Sequence, residues 1–471
     1  MQSYIFFSYP LCFSPHFSLF SFIFYLFLFT FFLFLCIFAR QLQNHMKSSR
    51  FIILSAALLL TACGSHYKVR YEQRPVPPAT IVTPKPVATV PAPVVHKEID
   101  WRTPLQKRID NLLQADATVQ TAQVAVCVFD ITANQVLYEY GSQQRLRPAS
   151  TEKAFTAIAA LDLLGPDYEL RTRVCSTGTL SGGTLRGDLW VVGAMDPLLT
   201  YADLQQLARR LKALGIHRIE GRICEDLSFK DTDKWGWGWC WDDENPTLTP
   251  LLCGGKDNFH DRLTAALRAA GITGAALNRR PTVGNLPTAA TEQVAVTHTL
   301  AEVLVPMLKD SNNLCAESVF YQIASAMGGR HASRKQAAQY MQDLLIRCGG
   351  RNDLSTVADG SGLSLYNYQT AANFVSLLAY ASRSERILPA LWNALPVAAV
   401  DGTLKTRMAD TPAAANVHAK TGSVSAVSTL VGYTTQRSTT HLIAFAILTQ
   451  GVVHMAEGRN LQDRICEALS E

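Results

Sequence analysis

The chain has little net charge and lacks the short motifs of metal, nucleotide or redox proteins. Its 43 Lys and Arg stand against 38 Asp and Glu, a balance of +5 over 471 residues. Three of the basic residues (Arg40, Lys47, Arg50) fall in residues 1–62, which contain no acidic residue, so the remainder is 40 against 38. A body so close to neutral offers no basic stripe for nucleic acid and little for polybasic docking on a membrane. The 11 Cys include no C-x-x-C pair, which disfavours a zinc knuckle or a dithiol redox site. The 11 His include no H-E-x-x-H, and neither a phosphate loop nor a dinucleotide fingerprint is present. Phe is also scarce where it would matter: 13 of the 21 lie between Phe6 and Phe38. Without that stretch the composition is that of an ordinary globular protein.

The amino-terminal region reads as an address and a tether. Residues 17–39 are apolar and, taken literally, long enough to span a bilayer. A second export signal follows. Met46-Lys47-Ser48-Ser49-Arg50 is a short basic region, residues 51–60 are apolar, and Leu60-Thr61-Ala62-Cys63 closes with small residues. Residues 46–62 resemble a bacterial lipoprotein signal peptide with Cys63 as the lipidated first mature residue; a plain signal or a membrane anchor is the alternative. Two export segments in tandem make little sense, so residues 1–45 are read as an upstream stretch from a start codon placed too early. Residues 63–100 then hold seven Pro, an extended tether that could reach roughly 100 Å at about 3.1 Å per residue.

Eight Cys remain beyond residue 100. Cys127 and Cys315 lie in apolar runs and read as buried small hydrophobes. Cys175 with Cys224, and Cys240 with Cys253, are conceivable disulfides in an exported protein.

The rest of the chain has an α+β texture. Residues 101–113 predict a helix, and residues 124–130 and 136–140 a hairpin turning at Thr132-Ala133-Asn134. Phe155, Ile158, Leu161 and Leu164 are at helical spacing before the stop Gly165-Pro166. Residues 169–285 change to short β-rich pieces with Gly turns, one amphipathic helix over 203–214, and four of the seven Trp in Trp235-Gly-Trp-Gly-Trp-Cys-Trp241. That Trp cluster reads as domain core in preference to a carbohydrate platform. Helices dominate from 297 to about 395; strands over 418–420, 428–434 and 441–449 and a helix over 458–469 finish the chain. The order implies one antiparallel sheet flanked by helices, assembled from residues 101–168 and 286–471, with 169–285 as an insert.

Three segments carry chemistry. In Ser150-Thr151-Glu152-Lys153 the spacing puts Ser150 and Lys153 on one helix face. A helix start provides the positive dipole end and free N–H groups for an oxyanion. The Ser needs a base. Lys153 can serve only if its pKa falls from about 10.4 to roughly 7–8, about 4 kcal/mol of environmental bias from burial or a neighbouring cation. Ser311-Asn312-Asn313, between two helical stretches, supplies a hydroxyl and an amide for proton relay and substrate orientation. Lys420-Thr421-Gly422-Ser423 lies on a strand: Lys420 as a fixed cation, Thr421 as a hydroxyl for a carboxylate, Gly422 leaving room for a peptide at the strand edge. Taken singly, each reads more readily as a helix cap, a turn or a surface Lys than as a catalytic element.

Together, in this order and context, Ser-x-x-Lys, Ser-x-Asn and Lys-Thr-Gly resemble the active-site set of penicillin-binding proteins and class A β-lactamases. Asp359-Gly-Ser-Gly-Leu-Ser364, Gly187-Asp188-Leu189 with Gly193 and Asp196-Pro197, Trp237-Gly238-Trp239 followed by Asp242-Asp243, and Asp401-Gly402-Thr403-Leu404 are similar to segments of the D-alanyl-D-alanine carboxypeptidase/endopeptidase branch, the class C low-molecular-mass penicillin-binding proteins. The resemblance covers about residues 101–470. It departs at Leu365-Tyr366, where the branch often has a basic residue, and in spacing: 161 positions separate Ser150 from Ser311, so the inserted domain is reduced.

The resemblance implies a penicillin-binding/β-lactamase-like transpeptidase fold and an exported serine DD-peptidase acting on peptidoglycan stem peptides, with β-lactams as covalent inhibitors. Ser150 would be the nucleophile, Lys153 its base, Ser311 and Lys420 the relay, and Asn313 the group that orients the substrate amide. Lys420 with Thr421 would hold the carboxylate, and the N–H groups of Ser150 and Ser423 the oxyanion. Asp243 and Arg407 are implied contacts to the stem peptide. No metal or organic cofactor and no nucleic acid is implied. The rivals are a serine β-lactamase and a non-catalytic peptidoglycan-binding lipoprotein. No E-x-x-L-N string, the usual deacylating element of class A β-lactamases, lies between Asn313 and Lys420.

Overall fold

The computed structural model describes residues 100–243 and 245–471. The leader, the signal peptide, Cys63 and the Pro-rich tether lie outside the described residues. Among the described residues no helix is long and apolar enough to cross a membrane.

The main sheet is antiparallel and five-stranded, in the order His418–Val424, Val427–Thr435, Leu442–Gln450, Gln123–Asp130, Gln135–Tyr140. Sequence-distant ends of the chain thus meet in one sheet, with Val126 opposite Ile447. Both faces are covered, which explains why the central strands are apolar at successive positions. Alternate residues face opposite sides. Val124, Val126, Val128, Phe445 and Ile447 pack with Ile109, Leu461 and Ile465 of the helices Arg102–Ala115 and Met455–Ser470. Ala125, Cys127, Ala444, Ala446 and Leu448 pack instead with Phe155 and Ile158 of the helix Glu152–Leu163 and with the helical layer of residues 300–395.

The insert has its own core, centred on Val174, Leu207, Leu211 and Leu263. Its mixed five-stranded sheet runs Thr291–Thr299, Glu169–Ser176, Leu189–Val192, Ile223–Asp226, Thr282–Val283, with the last three parallel. Because Thr291–Thr299 pairs with Glu169–Ser176 along its length, this sheet extends past residue 285, where the sequence pattern draws its edge. The strand Thr291–Thr299 fills the stretch left unassigned before residue 297 and takes the first three residues of the expected helical run.

Two expectations change. All eight Cys of the described residues are free. Cys175 and Cys224 each pair with Trp190, from opposite sides. Two strand spacings separate them, about 9–10 Å, beyond the roughly 7 Å a disulfide can bridge. The Trp cluster is not core: Trp241 is 93% exposed and Trp235 and Trp237 are exposed, with Trp239 alone packed against the main core. The turns Trp235–Trp241 present three rings outward because the loop is anchored by other groups. Lys230, fully buried, donates to the Asp231 carboxylate at 2.8 Å and stacks on Tyr321.

Candidate active site

Ser150 lies in the 3-10 turn Ala149–Thr151 that leads into the helix Glu152–Leu163. Ala149 has φ +47°, a left-handed conformation unusual for a residue with a side chain. One helical turn on, Lys153 Nζ lies 2.9 Å from Ser150 Oγ, 2.8 Å from Asn313 Oδ1 and 2.7 Å from the Ser361 carbonyl. Two of those three partners can only accept. A neutral amine has two N–H groups and one lone pair, so with both N–H groups given to Asn313 and Ser361 the lone pair is left facing the Ser150 hydroxyl. An ammonium donates to all three. The same cage thus satisfies Lys153 before and after it takes a proton.

Lys153 is fully buried, and burial lowers its pKa to about 8. The charges of Asp359 and Glu317 act in the opposite sense. Lys420, equally buried, is pushed well below the ordinary lysine range by burial and then by the charge of Lys153. Burial is therefore the leading cause at both lysines. Lys420 Nζ donates to Ser311 Oγ at 3.0 Å and to the Thr421 carbonyl at 2.7 Å. Ser311, at φ +59°, forms the bend between the helices Leu300–Lys309 and Asn313–Gly328. Asn312 caps the second helix by accepting from Cys315 N at 3.0 Å, which leaves Asn313 free to turn inward.

Ser150, Ser311, Thr421, Gly422 and Ser423 line one cleft of about 410 Å³, together with Thr403, Arg407 and Arg459. Thr421 Oγ1 donates to Thr403 Oγ1 at 2.8 Å, which places the Asp401-Gly-Thr-Leu404 segment at the cleft wall. Gly422 does not keep space for a peptide. A β-carbon there would come within 2.7 Å of the Pro148 carbonyl and 2.1 Å of Thr429 Oγ1, so the missing side chain lets the strand close on the nucleophile turn. Arg407 reaches the cleft, but its guanidinium is held by Asp463 at 2.6 Å and Gln462 Oε1 at 3.0 Å. Asp243 is exposed on the loop after Trp241 and does not line this cleft. His418, on the edge strand, stacks on Trp392 at 4.0 Å.

Under the nucleophile helix lies a second layer of acids. Asp359 accepts from Gly362 N (2.8 Å), Ser364 N (2.7 Å), Asn367 Nδ2 (2.6 Å) and Trp239 Nε1 (2.8 Å), so one carboxylate organises the whole Asp-Gly-Ser-Gly-Leu-Ser loop. Glu317 accepts from Ser361 N at 2.8 Å. Glu317 and Arg459 carry no mark in the sequence reading, and Ser361 and Thr403 enter it only within their motifs, with no role of their own. Glu317 had one usable signal, its i, i+4 relation to Asn313.

Against known proteins, the model of the D-Ala-D-Ala carboxypeptidase 3 (S13) family matches residues 105–251 and 255–471. The chain is 27% identical to a D-alanyl-D-alanine carboxypeptidase of Actinomadura sp. (strain R39) over 425 residues, 70% of this chain and 78% of that one. It is 28% identical to carboxypeptidase DacB of Mycolicibacterium smegmatis over 84% of this chain and 89% of the relative. The crystal structure of penicillin binding protein 4 (dacB) from Haemophilus influenzae superposes with a TM-score of 0.68 at 25% identity, covering 76% of this chain and 99% of that one. The same protein complexed with a β-lactam gives 0.63 at 23% identity, over 76% and 99%. The fold is that of the penicillin-binding proteins, and the chain belongs to the D-Ala-D-Ala carboxypeptidase 3 (S13) family of serine-type peptidases.

Proposed function

We propose that this carboxypeptidase cleaves the terminal D-Ala from peptidoglycan stem peptides through an acyl-enzyme on Ser150. The observation that carries the reading is the Lys153 cage: a buried amine with two acceptor partners and one serine hydroxyl. Ser150 Oγ attacks the carbonyl of the penultimate D-Ala while its proton passes to Lys153. The N–H groups of Ser150 and Ser423, on facing walls of the cleft, hold the oxyanion. As the C–N bond breaks, Ser311 passes a proton to the leaving amine and is resupplied from Lys420. The proton that Lys153 took from Ser150 passes on to Lys420, so Lys153 is neutral again. Water then attacks the ester, and Lys153 takes its proton and returns it to Ser150 Oγ as the ester C–O bond breaks.

Thr421 and Lys420 receive the substrate's terminal carboxylate. Burial favours the neutral form of Lys420 in the empty cleft, and an arriving carboxylate supplies the countercharge that favours its ammonium. Asn313 orients the substrate amide. β-Lactams act as covalent inhibitors of Ser150. The β-lactam complex of the Haemophilus influenzae relative and the missing E-x-x-L-N string support inhibition over hydrolysis. The enzyme is exported, anchored by lipid on Cys63 with the catalytic domain facing the periplasm. Gly64, in place of Asp, after Cys63 points to the outer membrane. Incubation with purified muropeptides, with products identified by mass, tests this reading: loss of one D-Ala from pentapeptides is expected. Unchanged pentapeptides would contradict it.

A further inference from the structure

Glu317 is an acid that this mechanism leaves unused. It follows Asn313 by four residues on the helix Asn313–Gly328, so the two side chains share a helix face. Its side chain is buried, and Oε1 accepts from Gly360 N at 3.2 Å and Ser361 N at 2.8 Å. The carbonyl of that same Ser361 accepts from Lys153 Nζ at 2.7 Å. One helix face therefore bears on both acceptors of Lys153: Asn313 is one, and Glu317 holds the N–H of Ser361, whose carbonyl is the other. Gly360 packs directly against this helix, since a β-carbon there would meet Phe320 Cβ at 2.5 Å and the Ala316 carbonyl at 2.8 Å.

We propose that Glu317 is a positioning residue for this peptidase: its carboxyl holds the Gly360–Ser361 peptide so that the Ser361 carbonyl directs the lone pair of Lys153 at Ser150. The inference rests on Lys153 being the base. It predicts an electrostatic role as well, because a negative Glu317 raises the proton affinity of Lys153. The charged and titratable groups around the pair are Asp359 on the loop, Cys315 and Tyr321 on the helix of Glu317, and Lys420 on the strand beyond Lys153, with Glu152 beside Asp359. Burial and the Asp359 charge push Glu317 up to about 8. Glu317 also borders a cavity of about 240 Å³ walled by Trp235, Trp237 and Arg334, which shares no lining residue with the substrate cleft.

The test is the pH profile of acylation by a fluorescent penicillin in the full chain and in Glu317→Gln and Glu317→Ala. Gln keeps an acceptor oxygen and loses the charge. Its plateau rate should stay within about threefold of the wild type while the half-maximal pH falls by about half a pH unit or more. Ala loses the acceptor too, so its plateau should fall at least about tenfold with unchanged non-covalent affinity for penicillin. Equal rates and an unmoved midpoint in both variants would overturn the proposal. So would an equal loss in both with an unmoved midpoint, which is the signature of packing alone. The wild type is the control: no acylation at Ser150 there would contradict the functional reading itself, whereas normal wild-type acylation with silent variants contradicts only the role of Glu317.

Discussion

Gly362 stands where a β-carbon would come within 1.8 Å of the Ala149 carbonyl, immediately before the nucleophile. Its φ of +77° is also one that side chains disfavour. The Asp-Gly-Ser-Gly-Leu-Ser loop and the nucleophile turn are therefore packed backbone to backbone. Gly362→Ala should destabilise the protein by about 2–4 kcal/mol, combining steric clash with left-handed strain. Thermal unfolding measures it, and a melting temperature equal to wild type would show that the loop can withdraw at no cost.

Acylation should depend on pH through Lys153. With its pKa lowered to about 8, the amine is mostly protonated below pH 8. The acylation rate should thus drop about tenfold per pH unit below that point and level off above it. Stability follows the opposite bookkeeping of protons. Between pH 8 and the ordinary lysine value of 10.5 the unfolded chain binds more protons than the native one, so stability rises with pH across that window. Below it, burying Lys153 costs about 3 kcal/mol. Urea titrations of wild type and Lys153→Met at pH 7 and pH 10 measure the term, and a pH-independent difference between them would contradict it.

Lys153 and Lys420 are both buried but have different tasks. Arg keeps a charge and cannot lose its proton. Lys153→Arg should abolish acylation almost completely, and Lys420→Arg should retain more of it. Comparable residual rates of β-lactam acylation in the two variants would show the roles to be assigned wrongly.

At the other end of the chain, Cys63→Ser should release the protein from membranes and leave the activity of the catalytic domain intact. One acyl chain holds a protein only marginally, whereas two hold it firmly. Mass spectrometry of the mature protein should find lipid on Cys63 and no peptide from residues 1–45. Recovery of a peptide covering residues 41–47 would mean that the upstream apolar stretch is the anchor.

What could be read before folding was what is local. Ser150 and Lys153 are three residues apart on one helix, and the alternation of Val124, Val126 and Val128 with Ala125 and Cys127 marks a strand buried on both faces. The order of elements implied the sheet shared by the two ends of the chain, and the resemblance implied the meeting of Ser150, Ser311 and Lys420, but individual side-chain pairings between distant segments were not legible. That the guanidinium of Arg407, a residue of the cleft wall, rests on Asp463, 56 residues away, is not visible in the sequence. Glu317 meets Gly360 and Ser361 only because a helix packs under a loop. The Trp cluster misleads for a different reason: large aromatics are usually buried, but here Asp359 draws in Trp239 alone, while Trp235, Trp237 and Trp241 stay exposed. Gly422 reads from sequence as room for a peptide, but the space its missing side chain leaves is taken by the nucleophile turn.

The most direct measurement is peptide mapping of the protein after labelling with penicillin. The account predicts one adduct, on the peptide containing Ser150, absent in Ser150→Ala, and persisting for minutes or longer because no deacylating Glu string follows Ser311. An adduct on another residue, labelling of Ser150→Ala at the wild-type level, or rapid repeated turnover of a chromogenic cephalosporin would contradict it.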